Sequence, residues 1–361
     1  MGLDDLDAKL RDSLVEGILQ QIQEAAPSDG SEWGSSVAEL VPKAVSLCRL
    51  YGCHNDAESL LGKNFDSRED ILGPYHPDTL EAASALADFL QQRGDNCEEV
   101  LDLTERASKK GNELFGPNDR RTLRYHQQYA LALLSSGKLD EAEALVCTVY
   151  SVLSDGVFTD DNVSPENAVA PNASEADEGM LVMKRCLSIK ARLLQARGDL
   201  EAASALMRDV EAFFVGFFGP VHYETRSYSS SLASMLHGMG RFDDAADIYA
   251  RMVEQCRRLL RVEHIDVLGY EYRLSFVLLD LGNVNPAGEG PDALLYMTDV
   301  LLRLARHHGR DHTLTEQMLS KVTSLLTSQG RDKDLEGLME DLDPIRLHTS
   351  VMNASLFNWR S

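Results

Sequence analysis

Seven glycines recur along the chain at a nearly constant interval, and this repeat limits the possible folds more than any other feature. They are Gly52, Gly94, Gly137, Gly198, Gly240, Gly282 and Gly330. The steps between them are 42, 43, 61, 42, 42 and 48 residues. Self-similarity at a period of this length is typical of a solenoid, in which supersecondary units stack on one another. The two longer steps contain inserted, loop-like sequence.

The unit around Gly137 shows what one repeat contains. Residues 123–136 carry apolar side chains at helical spacing, and a segment rich in Ala, Glu and Leu follows the glycine. Gly137 gives the first helix a permissive backbone at its end. Asp140 and Glu141 place acids in the first turn of the second helix, where the helix dipole favours them. This pattern predicts a hairpin of two helices with apolar inner faces.

Alanine recurs at two fixed places in this hairpin, which predicts a close helix crossing. Five residues after the glycine stand Ala57, Ala142, Ala203 and Ala245, and Ala293 joins them if six inserted residues are allowed. Seven residues before the glycine stand Ala87, Ala130, Ala191 and Ala233. Bulk at such a crossing is expected to destabilise the pair by overpacking.

The loops between the hairpins also repeat. The segments Gly73–Leu80, Gly116–Leu123 and Gly219–Arg226 each begin with Gly-Pro and contain Thr in the seventh position. Gly-Pro is expected to end one helix. The acid just before Thr, as in Asp78 and Glu224, is expected to cap the next helix.

These features resemble tetratricopeptide repeats of the long type found in kinesin light chains. The resemblance is carried by LGPYHPDTL at Leu72–Leu80, by LDEAEAL at Leu139–Leu145 and by the 42-residue step, and it covers residues 37–341. It implies an all-α, right-handed superhelical solenoid of about seven helix pairs with an N-terminal capping helix.

A second resemblance concerns the last repeat. The segment HGRDHTL at His308–Leu314 is similar to the C-terminal helical tail of SET/MYND lysine methyltransferases. No SET or zinc-finger signature accompanies it.

The chain is predicted to divide into five segments. These are an N-terminal capping helix and linker at 1–36, repeats 1–3 at 37–154, an acidic disordered insertion at 155–178, repeats 4–7 at 179–343 and a C-terminal capping segment at 344–361. The insertion holds seven acids and two prolines and no basic residue. It is interpreted as a solvated loop, and the alternative is a self-ligand that folds back onto the protein.

Composition favours a chain with a buried core and argues against two classes of partner. Hydrophobic residues make up 43% and charged residues 26%, and the net charge is −23. So acidic a chain is not expected to bind nucleic acid or an anionic membrane. The six cysteines form no CxxC pair and the first 26 residues lack an apolar signal-peptide core. These observations predict a reduced, cytoplasmic protein, with the nucleus as the alternative.

No catalytic motif is found: the chain has no P-loop, GxSxG, HExxH or GxGxxG sequence. It is therefore predicted not to be an enzyme, with no cofactor and no metal, and its expected partner is a protein or peptide.

In repeats of this kind the first helices line a concave groove, which the resemblance places 13, 10, 6, 3 and 2 residues before each glycine. The predicted groove residues are Arg124, Gln127, Arg185, Ser188, Arg192, Ser230, His237, Tyr272 and Phe276. Arginine binds carboxylate or phosphate through two parallel hydrogen bonds. The predicted function is a scaffold that binds an extended, acidic or phosphorylated peptide.

Three alternatives to this function stay open. The groove arginines could pair with neighbouring acids of the same chain, because charge on a helix face is common. The chain could be a regulatory or substrate-presenting region of a larger SET/MYND-like enzyme. It could also be a small-molecule-binding protein, or an enzyme whose chemistry lies in the groove.

Overall fold

A computed structural model describes residues 40–46, 48, 54–93, 97–154, 173–260, 264–284, 293–308 and 313–342. Within these ranges the backbone is helical or belongs to short turns, and no strand occurs in them. The predicted capping segments at 1–36 and 344–361 lie outside the described residues. An all-α fold is therefore confirmed for the part of the chain that the structure describes.

Fourteen helices are found in the described ranges. They are α1 (residues 40–46 and 48), α2 (His54–Leu72), α3 (Pro77–Arg93), α4 (Cys97–Phe115), α5 (Arg120–Ser135), α6 (Leu139–Ser154), α7 (Ala173–Ala196), α8 (Leu200–Phe218), α9 (Tyr223–Gly238), α10 (Phe242–Leu259), α11 (Ile265–Val284), α12 (Ala293–His308), α13 (Thr313–Ser328) and α14 (residues 332–342). Counted two by two in chain order, the 14 helices correspond to the seven helix pairs that were predicted.

The chain divides into two compact units, Met1–Val210 and Glu211–Ser361, with the boundary inside α8. The first unit contains α1–α7 and the start of α8, and the second contains the rest of α8 and α9–α14. None of the helices in the described ranges has the length and apolar character needed to cross a membrane.

The alanines predicted at the helix crossings are buried. All eight have no exposed surface: Ala57, Ala87, Ala130, Ala142, Ala191, Ala203, Ala233 and Ala245 are each 0% exposed. Ala130 and Ala142 belong to one apolar cluster with Leu133 and Val146, so the two helices of that pair meet at these alanines. Ala293 is partly exposed and does not occupy the equivalent place.

Most of the described repeat glycines are turn glycines, and one is not. The backbone φ angle of Gly240 is +76°, in the left-handed region that favours glycine. Gly137, Gly198 and Gly330 also have positive φ. Gly282 instead lies inside α11, which continues to Val284, so this member of the glycine repeat does not end the helix. Gly52 and Gly94 lie outside the described residues.

In several pairs, the N-terminal cap of the first helix is not the acid that the sequence suggested. The Nδ1 atoms of His76, His222 and His264 accept hydrogen bonds from the backbone N–H groups of the residues two positions later, at 3.2, 3.4 and 3.1 Å. Asp119 caps α5 in the same way, at 2.9 Å from the nitrogen of Arg121. Asp78 and Glu224, predicted as caps, lie in the first helical turn.

The pKa of Asp119 reflects this role. Burial alone would raise it, but hydrogen bonds from the side chain and backbone of Arg121 outweigh burial and lower the pKa below its ordinary value. The cap is therefore ionised at neutral pH, in the form that accepts hydrogen bonds most strongly.

Polar contacts join the second helix of one pair to the first helix of the next. In the first unit, Ser108 Oγ lies 2.7 Å from His126 Nδ1, between α4 and α5. In the second unit, Ser229 donates to the Glu211 carboxylate at 2.9 Å, between α9 and α8. Each contact satisfies polar groups that the packing of apolar helices would otherwise leave without partners.

Glu271 makes the corresponding contact on α11 as an ion. Its side chain is 0% exposed and pairs with Arg257 of α10 and with Arg303 of α12, the second at 2.6 Å. Two guanidinium groups compensate one buried carboxylate, which is the condition under which a charge is tolerated inside a protein.

The predicted acidic insertion is described only at its end. Helix α7 begins at Ala173, inside the range 155–178. Residues 155–172 lie outside the described residues, and so does the proposed self-ligand.

Candidate functional site

The first helices of consecutive pairs contact each other in register, as the first unit shows. Glu81 on α3 forms an ion pair with Arg124 on α5, and the hydroxyl of Tyr125 donates to the same carboxylate at 3.0 Å. Ser84 donates to Gln128 Oε1 at 2.6 Å. The partners are 43 or 44 residues apart in the sequence. Positions counted equally from Gly94 and Gly137 are therefore spatial neighbours, to within one residue.

The first helices of the second unit also contact each other, but their partners stand at unequal counts from the repeat glycines, three and two residues for His237 and Asp280 and ten and 13 for Tyr272 and Gln317. His237 Nε2 lies 2.8 Å from Asp280 Oδ2, between α9 and α11, 43 residues apart. Tyr272 donates to Gln317 Oε1 at 3.1 Å, between α11 and α13, 45 residues apart. Each unit thus has a first-helix face, made of α3, α5 and α7 in the first unit and of α9, α11 and α13 in the second.

Three of the predicted arginines lie half-buried on the first-helix face of the first unit. Arg124, Arg185 and Arg192 all have interaction partners within the protein. For Arg124 one partner is Glu81. Guanidinium groups are thus present on the face. A ligand that binds them would have to displace their partners within the protein.

Two predicted groove residues do not reach the surface. Gln127 and Ser188 are each 5% exposed, and Ser188 donates to the backbone oxygen of Arg185 at 2.7 Å. Ser84 on α3 stands ten residues before its glycine, as these two residues do. It is 3% exposed and donates a hydrogen bond to Gln128 on α5. In this unit, the side chains ten residues before the glycine are buried, so they are not available to a ligand.

In the second unit the predicted residues are half-buried and mostly uncharged. The rings of Tyr272 and Phe276 lie 4.8 Å apart between centroids and are tilted by 51°. Ser230 accepts a hydrogen bond from Tyr249 at its backbone oxygen. His237 is held by Asp280. The face of this unit therefore offers an aromatic pair and a histidine–carboxylate pair.

The environment of Tyr125 fixes its protonation state. Burial first, and then the neighbouring carboxylate of Glu81, raise the pKa of the phenol above its ordinary value. The hydroxyl is therefore always protonated at physiological pH and donates to Glu81. This bond and Arg124 together hold the carboxylate on the face.

Two acids on α3 were not included among the predicted groove residues. Glu81 and Asp88 stand 13 and six residues before Gly94, at the counts that gave the groove arginines. Asp88 accepts a hydrogen bond from the Gln92 amide at 2.8 Å. Applying the same count to every glycine would have found both.

Within the described residues, no group of three or more His, Cys, Asp or Glu side chains is arranged to hold a metal ion.

Stacked helical hairpins joined in register define a helical repeat protein, and family models identify the repeat. Two models described as tetratricopeptide repeats match residues 225–266 and 185–209. The first range contains most of α9 and α10, and the second lies in α7 and α8. The chain therefore carries tetratricopeptide repeats, which supports a scaffold for protein–protein interactions. No curated protein matches the chain.

Solved structures with detectable similarity are distant. A kinesin light chain-like protein of Podosopora anserina with nearly identical TPR-like repeats has 20% identity and a TM-score of 0.44, covering 64% of this chain and 97% of its own. BtubC (BKLC) from P. vanneervenii has 14% identity and a TM-score of 0.40, covering 77% and 92%. A Rap protein complexed with competence and sporulation factor has 14% identity and a TM-score of 0.41, covering 97% and 88%.

The resemblance of His308–Leu314 to the tail of SET/MYND methyltransferases is not confirmed by these comparisons. Most of that segment lies outside the described residues.

Proposed function

We propose that this protein is an interaction scaffold whose first unit binds an extended peptide with acidic or phosphorylated residues. The peptide lies on the first-helix face of α3, α5 and α7 and is held by Arg124, Arg185 and Arg192. The observation that carries this proposal is the ion pair of Arg124 with Glu81. A carboxylate on this face already binds the guanidinium that a ligand would use.

The chemistry of the arginines supports an anionic ligand. A guanidinium group matches a carboxylate or a phosphate with two parallel hydrogen bonds. Repeats stacked in register extend the face over several helices, which suits an elongated chain better than a compact ligand. A phosphorylated residue carries more charge than a carboxylate and binds such a site more strongly.

The ion pair of Arg124 with Glu81 does not prevent binding at Arg124. The side chains of Arg124 and Glu81 are 25% and 49% exposed. A pair with this much solvent contact contributes about 0–1 kcal/mol. A ligand that makes several contacts can therefore replace it.

The face of the second unit is proposed as a separate binding surface of different character. Tyr272 and Phe276 would take an apolar side chain, and Ser230 and His237 would make hydrogen bonds. Peptide-binding grooves combine such apolar pockets with hydrogen-bonding side chains.

Three earlier predictions stay predictions. They are the absence of catalytic activity and cofactor, the cytoplasmic location, and the alternative role as a region of a larger enzyme.

The experiment is an affinity purification from cell extract with three forms of the intact chain. They are the natural sequence, the double variant Arg124→Glu/Arg192→Glu, and the control Arg208→Glu, which changes an exposed arginine on α8. Bound proteins are identified by mass spectrometry. Peptides from each protein lost only from the double variant are then titrated by fluorescence anisotropy, with and without phosphorylation.

The proposal expects partners that bind the natural chain and the control but not the double variant, and peptides in which acidic or phosphorylated residues are required. The same partners on all three forms would overturn it.

A further inference from the structure

The first-helix face of the second unit carries two aromatic rings and one acid in a stripe along α11. Tyr272, Phe276 and Asp280 follow each other at intervals of four residues. Residues four apart are neighbours on a helix surface, with about 5–6 Å between their Cβ atoms. The ring contact of Tyr272 with Phe276, at 4.8 Å between centroids, is one such contact. All three side chains are half-buried, so each keeps part of its surface in solvent.

The carboxylate of Asp280 is oriented by a histidine of the neighbouring first helix. Its Oδ2 atom lies 2.8 Å from Nε2 of His237 on α9. Because a carboxylate only accepts hydrogen bonds, this nitrogen carries a proton. An imidazole that donates in its neutral form orients the carboxylate without cancelling its charge. The side chain of Asp280 is 43% exposed, and its second oxygen can accept a further hydrogen bond. The acid at the end of the stripe can therefore bind a cationic group.

Aromatic rings beside a carboxylate suit one kind of ligand side chain. The face of an aromatic ring attracts a cation, and arginine is the cation found there most often. The planar guanidinium group stacks on a ring and donates hydrogen bonds to a carboxylate from its edge. Its apolar stem packs against a second ring. A fully apolar side chain would use the rings alone and would remove water from Asp280 without replacing its hydrogen bonds.

An exposed arginine indicates the direction in which such a side chain lies. Arg273 follows Tyr272 in the sequence and is exposed. Burial raises the pKa of the Tyr272 phenol, and the positive charge of Arg273 opposes that rise, so this charge acts at the phenol end of the stripe. It would repel a ligand cation placed there. The charged end of the ligand is therefore expected at Phe276 and Asp280, and the stem at Tyr272.

We infer that the first-helix face of the second unit binds an arginine side chain of a peptide ligand. The guanidinium group stacks on Phe276 and donates to the carboxylate of Asp280, and the apolar stem packs against Tyr272. This inference rests on the proposed function, in which this face is a binding surface. It specifies that the apolar part of the ligand on the two rings is the stem of an arginine.

The test is selection from a phage-displayed library of random 12-residue peptides against the intact chain. Selected peptides are titrated by fluorescence anisotropy with the natural chain, Asp280→Asn, Phe276→Leu and the control Asp247→Asn. The first variant removes a charge and keeps the size of the side chain, and the second removes a ring and keeps an apolar side chain. Asp247 is an exposed acid on α10, so its variant controls for the loss of one negative charge. Helical circular dichroism establishes that each form is folded.

A change in the peptide gives a second measurement that needs no variant of the protein. Each arginine of a selected peptide is replaced by citrulline, which has nearly the same shape and no charge. On the natural chain, citrulline at one position should weaken binding about three- to tenfold, because an ion pair and a cation–π contact are lost. Lysine at that position should restore part of the affinity. On Asp280→Asn, the arginine and citrulline peptides should differ less, since the partner of the charge is gone.

The expected result is a set of peptides with one required arginine. Asp280→Asn and Phe276→Leu should each weaken their binding about two- to fivefold, and the control should leave it unchanged. If Phe276→Leu does not fold, citrulline peptides on the natural chain and on Asp280→Asn decide the question. A citrulline effect of equal size on these two proteins would overturn the inference, because the arginine would then bind elsewhere.

Other results separate the inference from the proposed function. Peptides that lose affinity for Phe276→Leu but require no arginine would overturn the inference and leave the face of the second unit a binding surface. Peptides that depend only on Arg124 and Arg192 would overturn the inference and the proposed role of the second unit, and would leave that of the first unit standing. A library from which the intact chain enriches no peptide would count against all three.

Discussion

The carboxylate of Glu81 and the guanidinium of Arg124 form an ion pair between α3 and α5, although the residues are 43 positions apart in the sequence. The pair has two consequences. It shows that equal counts from two repeat glycines give neighbouring side chains, and it places an internal carboxylate where the proposed ligand binds.

Replacing Glu81 by Gln should strengthen the binding of acidic peptides, because the ligand no longer competes with an internal carboxylate. A partly exposed pair is worth up to about 1 kcal/mol, so the gain should reach at most about fivefold. Anisotropy titration with a peptide selected by the natural chain measures it. The control Glu113→Gln removes the same charge from an exposed pair on α4, and equal effects of both variants would contradict the direct competition.

Ala142→Leu should destabilise the protein by about 1–3 kcal/mol, because a side chain with no exposed surface lies at a helix crossing. Urea unfolding followed by circular dichroism measures this. Ala144→Leu on the same helix is the matched control, since Ala144 is exposed and its substitution should change stability by less than about 0.5 kcal/mol. Similar unfolding midpoints for the two variants would show that the crossing has been misplaced.

Two glycines in equivalent sequence positions should respond to alanine with opposite signs. Gly240 has φ +76°, so Gly240→Ala should cost about 1–2 kcal/mol. Gly282 is helical, and a Cβ there meets no atom within 4 Å. Gly282→Ala should therefore stabilise the protein by about 0.5–1 kcal/mol. The same urea experiment measures both, and a loss of stability at Gly282 would argue that α11 ends before it.

His126 should make the stability of the protein depend on pH. Burial lowers the pKa of this ring below its ordinary value, so the unfolded state binds a proton more readily than the folded state. Stability is then full above about pH 6.5, the ordinary pKa of histidine, and falls as the pH drops from there towards the folded pKa. Urea unfolding at several pH values should show this loss in the natural chain and less of it in His126→Gln. Parallel curves for the two proteins would exclude His126 as its source.

The repeat could be located from the sequence because its geometry requires two particular residue types at fixed positions. A close crossing needs alanine, and a left-handed turn needs glycine, as at Ala142 and Gly240. Gly282 keeps the repeat spacing without making a turn, since glycine costs a helix only about 1 kcal/mol and does not end it alone. Three residues after Gly137, Gly198 and Gly240 stand the acids Asp140, Glu201 and Asp243, whereas Asn285 stands three residues after Gly282.

The candidate site could be predicted only in part. Counting from the glycines selects Arg124 and Tyr272, which both contact a neighbouring first helix, and ligand binding by them stays a prediction. The count does not show how closely neighbouring first helices pack, and this packing buries Gln127. Nor does a list of favourable ligand-binding residues reveal that Glu81 binds Arg124, because a partner 43 residues away is recognised only when the register is known.

The polar contacts between helix pairs, such as Ser108 with His126 in the first unit, join a pair to the one beside it. A pair in the middle of such a stack loses two interfaces when it opens, and a pair at the end loses one. Within one unit, opening is therefore expected to start at the end pairs and to move inward one pair at a time. A ligand on the face would then dissociate stepwise, from one end towards the other, while the central pairs stay folded.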